Sequence, residues 1–185
     1  MLSLDRLLSA LALAALALGC APEKPPRWVE GGAPLVLPAA RWNRGGNDPV
    51  EIRPDGKVLE GGSLLFVVDR VGRVVDDHYD PVAVLLPDGR LAGADNVFLG
   101  QLGVTNASAP SGGQAWLTVM PNGEVIFFDS DGERSSGGVW TGCDGPAHRA
   151  CTLATHLVVL RSFMRRPAPG VSVGVGVGVG MGVGY

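Results

Sequence analysis

The sequence predicts a mainly β protein, an antiparallel meander that forms a small barrel, roll or sandwich, with one C-terminal α-helix. Three observations support this fold class. A turn motif occurs three times, as IRPDGKV at residues 52–58, LLPDGRL at 85–91 and VMPNGEV at 119–125. The 28 glycines and 14 prolines, with 18% charged residues, are typical of a turn-rich β protein. Between residues 146 and 166 the spacing of apolar residues becomes helical.

The first 19 residues are predicted to be a signal peptide. Residues 7–18 form an uncharged apolar run, LLSALALAALAL, that a short polar head precedes. As a helix this run would be about 18 Å long, well short of the roughly 30 Å hydrocarbon core of a bilayer. Its length suits the apolar region of a secretory signal, and small residues follow it where cleavage occurs. The alternative is a buried N-terminal core helix.

The end of this leader, Ala17-Leu18-Gly19-Cys20, resembles the lipobox of bacterial lipoproteins. The resemblance implies that Cys20 becomes the acylated N-terminus and that the partner of this end is the lipid bilayer. Alanine stands at position 17 where leucine is usual, so cleavage by ordinary signal peptidase beside Gly19 remains the alternative. Residue 21 is alanine rather than aspartate, which by the sorting rule of enteric lipoproteins favours the outer membrane over the inner.

Residues 20–33 are predicted to be the lipidated cysteine and a proline-rich tether, and residues 34–166 the folded domain. Within the domain, the glycines of the repeated motif are spaced 33 and 34 residues apart, with a further turn halfway between them. Proline, then Asp or Asn, then glycine is the residue order that a tight hairpin turn requires. A turn about every 17 residues predicts paired strands, two per repeat, which is too few for a propeller blade. The clearest strands are SLLFVV, PVAVLL, QAWLTVM and EVIFF.

Residues 146–166 are predicted to be a single helix that packs on the sheet. Leu153, Leu157 and Leu160 share one face at helical spacing. Pro146 suits a first turn, and Pro167 ends the helix.

Cys143 and Cys151 are predicted to form a disulfide. If Cys20 is lipidated, these two remain as an even pair in an oxidising compartment. The alternative is a zinc site, because Cys143, His148, Cys151 and His156 place four competent ligands within fourteen residues. The disulfide is the better account in an exported protein.

A second weak metal alternative lies in the loop DDHYD, where Asp76, Asp77, His78 and Asp80 gather. A solvated turn is the usual meaning of such a cluster. The sequence contains no nucleophile-elbow or phosphate-loop motif, so we predict no catalytic residues and no cofactor. A net charge of −3 gives no basic footprint for nucleic acid.

Residues 167–185 form a low-complexity tail in which valine or methionine alternates with glycine from residue 171 onward. A flexible tail is one interpretation. Alternation of period two also suits an edge strand that pairs with a partner or with itself, or a segment in contact with the membrane.

As a whole, residues 49–163 resemble uncharacterised bacterial envelope lipoproteins that carry repeated Asp-Gly hairpins and end in a short helix. The resemblance brings no known activity. The predicted function is a membrane-anchored, non-enzymatic binding or structural module with an envelope protein or the cell wall as partner. The alternative is a metal-dependent or hydrolytic envelope enzyme with an unrecognised site.

Overall fold

The computed structural model describes residues 23–165, with the side chains of residues 162–165 left out. The predicted signal peptide, Cys20 and the Gly/Val tail lie outside the described residues. The described chain forms twelve short strands and one helix. The strands are β1 (Ala40–Asn43), β2 (Val50–Ile52), β3 (Lys57–Glu60), β4 (Ser63–Val68), β5 (Arg73–Asp76), β6 (Pro81–Leu85), β7 (Arg90–Gly93), β8 (Phe98–Gln101), β9 (Asn106–Ser108), β10 (Ala115–Val119), β11 (Glu124–Phe128) and β12 (Arg134–Thr141). Two 3₁₀ turns, Ala94–Asn96 and Gly145–Ala147, precede β8 and the helix α1 (His148–Arg165), respectively.

All twelve strands belong to one antiparallel sheet that curls into a nearly closed barrel. The sheet order runs from β8 back to β1 and then from β12 to β9, so β1 pairs with both β2 and β12. The two ends of the sheet, β8 and β9, meet at an isolated bridge between Leu102 and Ala107. The Gln101 amide also donates to the Ser108 hydroxyl at 3.2 Å. The prediction of a mainly β meander with one C-terminal helix is confirmed, and of the three architectures considered the structure is the barrel.

Each repeat of the turn motif contains four strands, so the prediction of two strands per repeat is wrong. Between Gly56 and Gly89 the chain forms β3, β4, β5 and β6. The strands are only four to six residues long there. The sequence KVLEGGSLLFVV contains two of them, which reverse direction at Gly61-Gly62. Such a short reversal lacks the proline and aspartate that mark the repeated turns.

Because consecutive turns of an antiparallel meander alternate between ends, the repeated motifs all lie at one end of the barrel, which we call the turn end. The carbonyls of Gly56, Gly89 and Gly123 accept hydrogen bonds from amides near the next turn at this end. The donors are Val68 at 2.9 Å, Leu102 at 2.7 Å and Trp140 at 2.8 Å. Each motif is therefore tied to its neighbour, and the turns form a continuous hydrogen-bonded rim.

The helix α1 packs on the sheet, as the sequence predicts, and it does so on the inner side, where the barrel surrounds it. Every residue from 150 to 158 is buried, whereas a helix lying on a sheet would leave one face exposed. Its side chains reach strands on different walls, since His156 contacts the Leu99 carbonyl of β8 and Thr155 accepts from Trp140 of β12. Because these contacts satisfy the polar atoms of Thr155 and His156, the helix faces that carry them can be buried as well as the face that carries the leucines. Within residues 23–165 no helix combines the length and the apolar character that a membrane crossing requires.

The described chain first meets the barrel at the end opposite the turns, which we call the mouth, and then runs along the outside of the wall. Glu23 lies beside Asp95 of the β7–β8 connection. A side-chain hydrogen bond with Asp95, together with the negative charge of Asp95, raises the pKa of the exposed Glu23 carboxyl. Trp28 then packs on the outer face of β6 and β7, against Val84, Leu86 and Ala92.

The N-terminal segment reaches the turn end at Gly32 and Ala33. Their amides donate to the carbonyls of Val71 and Leu85, each at 2.6 Å. Ala33 is fully buried. The folded unit thus begins before residue 34, and the later part of the predicted tether is bound to the barrel wall.

Candidate functional site: the mouth of the barrel

The mouth is the candidate functional site because two cavities open there, on either side of the C-terminal half of α1. One has a volume of about 290 Å³ and polar as well as aromatic walls. The other, of about 280 Å³, is mostly apolar. We call them the polar cavity and the apolar cavity. Leu65 of β4 and Arg161 of α1 line both.

The polar cavity is built on an ordered pair of residues, Trp42 and Arg44, at the end of β1. The Trp42 indole donates to the Gly137 carbonyl at 2.9 Å and stacks on Trp140, with ring centroids 5.7 Å apart. The guanidinium of Arg44 lies 5.3 Å from the Trp42 ring centroid and pairs with Glu60 at 2.5 Å. Arg44 also donates to the Asp48 carbonyl. These contacts fix the cation and the aromatic wall before any ligand arrives.

Arg161 stands between the two cavities. Its guanidinium carbon lies 5.8 Å from the centroid of the Phe66 ring, at the edge of the apolar cavity. Its Nη1 atom is buried and has no hydrogen-bond partner among the described residues. A buried guanidinium nitrogen without an acceptor costs free energy, and a carboxylate bound beside Arg161 would offer it one.

The structure brings together only three of the four acidic-loop residues that the sequence grouped as a metal alternative. One ligand atom each from Asp76, Asp77 and His78 lies within 4.8 Å of the others, and Asp80 is not in this group. The His78 side chain is 79% exposed. The Asp76 carboxylate accepts from the amides of His78 and Asp80, both at 2.9 Å. These bonds are those of a turn, which accounts for Asp76 without an ion.

The other acidic turn at the mouth, residues 129–133, lies on the opposite wall. In the strand order the β5–β6 and β11–β12 hairpins are half the circumference apart. Asp129 accepts from the amides of Asp131 and Glu133 at 2.9 and 2.8 Å, again as a turn. The loop carboxylates therefore do not converge across the mouth on the histidine of the DDHYD loop.

Cys143 and Cys151 are joined by a disulfide at the turn end, with Cα atoms 6.1 Å apart. This supports the first of the two predicted alternatives for these cysteines. The two histidines of the zinc alternative have other partners. His148 Nε2 donates to the Val119 carbonyl at 2.7 Å, while His156 lies beside β8.

From within the barrel, His156 bridges β8 and β10, on either side of the place where the sheet nearly closes. Its Nε2 donates to the Leu99 carbonyl of β8 at 2.8 Å, and its Nδ1 accepts from the Trp116 indole of β10 at 3.1 Å. Both bonds together require the neutral imidazole with its proton on Nε2. Burial lowers the pKa of His156 to about 4, against a smaller opposite effect of the Leu99 hydrogen bond. The histidine that looked like a metal ligand in the sequence is thus a structural group of the barrel.

Removing the disulfide by the double substitution Cys143→Ala, Cys151→Ala is expected to lower the free energy of unfolding by about 2–3 kcal/mol, the chain-entropy value for a short loop. Urea unfolding followed by tryptophan fluorescence measures this. Reductant should shift the wild-type midpoint in the same direction and leave that of the double variant unchanged. A reductant effect of equal size in both proteins would contradict the assignment.

Sequence reasoning did not find Arg44 and Arg161, the two arginines that line the polar cavity, as site residues. Arg161 falls within the predicted helix of residues 146–166 without any further signal, and Arg44 and Glu60 belong to no motif. No local signal could have found them, since their proximity depends on the helix passing through the barrel.

Comparison with known proteins leaves the function to the geometry, since no protein-family model, curated protein or solved structure matches this chain.

Proposed function

We propose that the protein is a bacterial envelope lipoprotein, anchored in the membrane through acylated Cys20, in which the barrel is a non-enzymatic binding module and the mouth is its binding end. The outer membrane is the proposed location, on the basis of Ala21. An envelope protein or a cell-wall component remains the proposed larger partner.

The observation that carries this proposal is the difference between the two ends of the barrel. The turn end is tied together by hydrogen-bonded turns and by the disulfide. The two cavities beside α1 open at the mouth. Three peptide units separate Cys20 from Glu23, a distance of at most about 11 Å. Because Glu23 lies at the mouth, an anchor at Cys20 would hold this end near the bilayer surface.

The use of the buried polar groups supports a non-enzymatic role. His148 and His156, the two buried histidines of the described chain, bond backbone carbonyls of the barrel wall. A general base needs a nitrogen directed at a substrate. The alternative of a metal-dependent or hydrolytic enzyme has the group of Asp76, Asp77 and His78 in its favour. The exposure of His78 and the turn bonds of Asp76 make that alternative the weaker one.

The anchor is tested by the intact mass of protein extracted from membranes, before and after reduction. We expect a chain that starts at Cys20, carries three acyl chains and gains two hydrogens on reduction. A Cys20→Ala variant, which lacks the acylated sulfur, should leave the membrane fraction. Wild-type protein that is unacylated, or cleaved beside Gly19 without lipid, would contradict the proposal.

A further inference from the structure

The polar cavity has the charge and shape of a site for a small anion. Of the described charged side chains that line it, Arg44 is paired with Glu60 at 2.5 Å, and Arg161 carries the remaining positive charge. The described lining of the polar cavity therefore has an excess of one cation. Arg161 also lines the apolar cavity, together with Asp76 and Asp77. Because Arg161 Nη1 lacks a hydrogen-bond acceptor within the described chain, an anion bound beside it would supply one.

The walls of the cavity favour an anion that carries an apolar ring. Trp42 and Phe127 line it, and their ring centroids are 6.4 Å apart with the planes tilted by 59°. Leu65 of β4 and Val158 of α1 add aliphatic surface. A volume of about 290 Å³ is near the lower limit for small-molecule sites, so a compact ligand fits and a large one does not.

The rim of the cavity is preorganised. Arg44 is held by the Asp48 carbonyl, by Glu60 and by the face of Trp42, and Trp42 is held by the Gly137 carbonyl. Little side-chain entropy is left to lose when a ligand binds. A planar carboxylate matches the fork geometry of a guanidinium.

From these observations we infer that the polar cavity binds a compact monoanionic carboxylate with an apolar ring, and that Arg161 holds its carboxylate. This inference deepens the proposed function and rests on it, because it names the ligand class of the binding end.

The site is tested by isothermal titration calorimetry, which measures the dissociation constants of two ligands for the membrane-extracted full chain. The ligands are 2-naphthoate and 2-naphthalenemethanol, its neutral counterpart of similar shape. Saturable binding of naphthoate and at least tenfold weaker binding of the alcohol are expected, as for the loss of a charge-assisted hydrogen bond. Equal affinities for the two compounds, or no binding of naphthoate, would overturn the inference without using any variant.

Two arginine variants then identify the group responsible. Arg161→Met should weaken naphthoate binding at least tenfold. Arg134→Met is the matched control, because Arg134 also lies at the mouth with its guanidinium carbon 5.8 Å from a phenylalanine ring, that of Phe128, but outside the cavity. Equal losses in both variants would overturn the role of Arg161. The mass measurement on the same extract tests the anchor separately, so an acylated protein that binds no naphthoate refutes the site and leaves the anchor standing.

Discussion

Replacing Gly123 by alanine is expected to lower the free energy of unfolding by about 2–5 kcal/mol, one of the two largest effects that we predict. Gly123 has a φ of +85°, a region that costs an L-residue with a side chain about 1–2 kcal/mol. A Cβ atom at this position would also overlap the carbonyl oxygen of Trp140. That oxygen belongs to the backbone of β12 and cannot rotate away, so overpacking adds a further 1–3 kcal/mol or so.

Gly132→Ala is the matched control for this substitution. Gly132 lies in the next turn along the chain and has a φ of +81°, but a Cβ atom there would meet nothing within 4 Å. Only the backbone cost of about 1 kcal/mol is expected. Urea midpoints of the two variants and the wild type, read from tryptophan fluorescence, give the comparison. If both alanines cost the same, the turn end is not packed as the structure describes.

Acidification is expected to destabilise the barrel through His156 by about 3 kcal/mol as the pH falls from 7 to about 4. The pKa of His156 is lowered from its ordinary value of 6.5 to about 4, so the unfolded chain binds this proton before the folded one does. The contribution is complete above about pH 6.5 and is lost as the pH falls through the interval to about 4. Protonation of Nδ1 would also break the hydrogen bond from Trp116.

His156→Gln separates this effect from the titration of the carboxylates. A glutamine amide can donate to the Leu99 carbonyl and accept from Trp116, yet it does not titrate in this range. The free energy of unfolding of the wild type should therefore fall more steeply than that of the variant, by about 3 kcal/mol between pH 7 and pH 4. Parallel pH profiles for the two proteins would show that His156 is not held neutral by burial.

The two predictions test two different contacts that hold the barrel together. Gly123 lets the turns at one end approach each other closely, and His156 joins β8 to β10 across the place where the sheet nearly closes. The two cavities beside Arg161 open at the other end, the mouth. A stable turn end and an open mouth suit a module that binds a ligand at one end.

The sequence by itself determined the strand-rich class, the positions of the repeated turns and the span of the C-terminal helix. These features depend on local rules. Asp or Asn followed by glycine specifies a turn, and apolar residues at helical spacing specify a helix, whatever the rest of the chain does. The pairing of Cys143 with Cys151 was predicted on the premise that Cys20 is lipidated, which leaves these two cysteines as an even pair, and the structure contains this disulfide.

Only the tertiary structure decided where the helix lies and what its polar residues do. From the sequence, Leu153, Leu157 and Leu160 form one apolar face, and a helix with one apolar face is expected to bury only that face against a sheet. Thr155 and His156 are equally buried, because indoles and carbonyls from distant strands satisfy their polar atoms. Those partners come from positions up to 57 residues away along the chain. Closure of the barrel, the neutrality of His156 and the unpaired donor of Arg161 all depend on such long-range contacts, which no local pattern encodes.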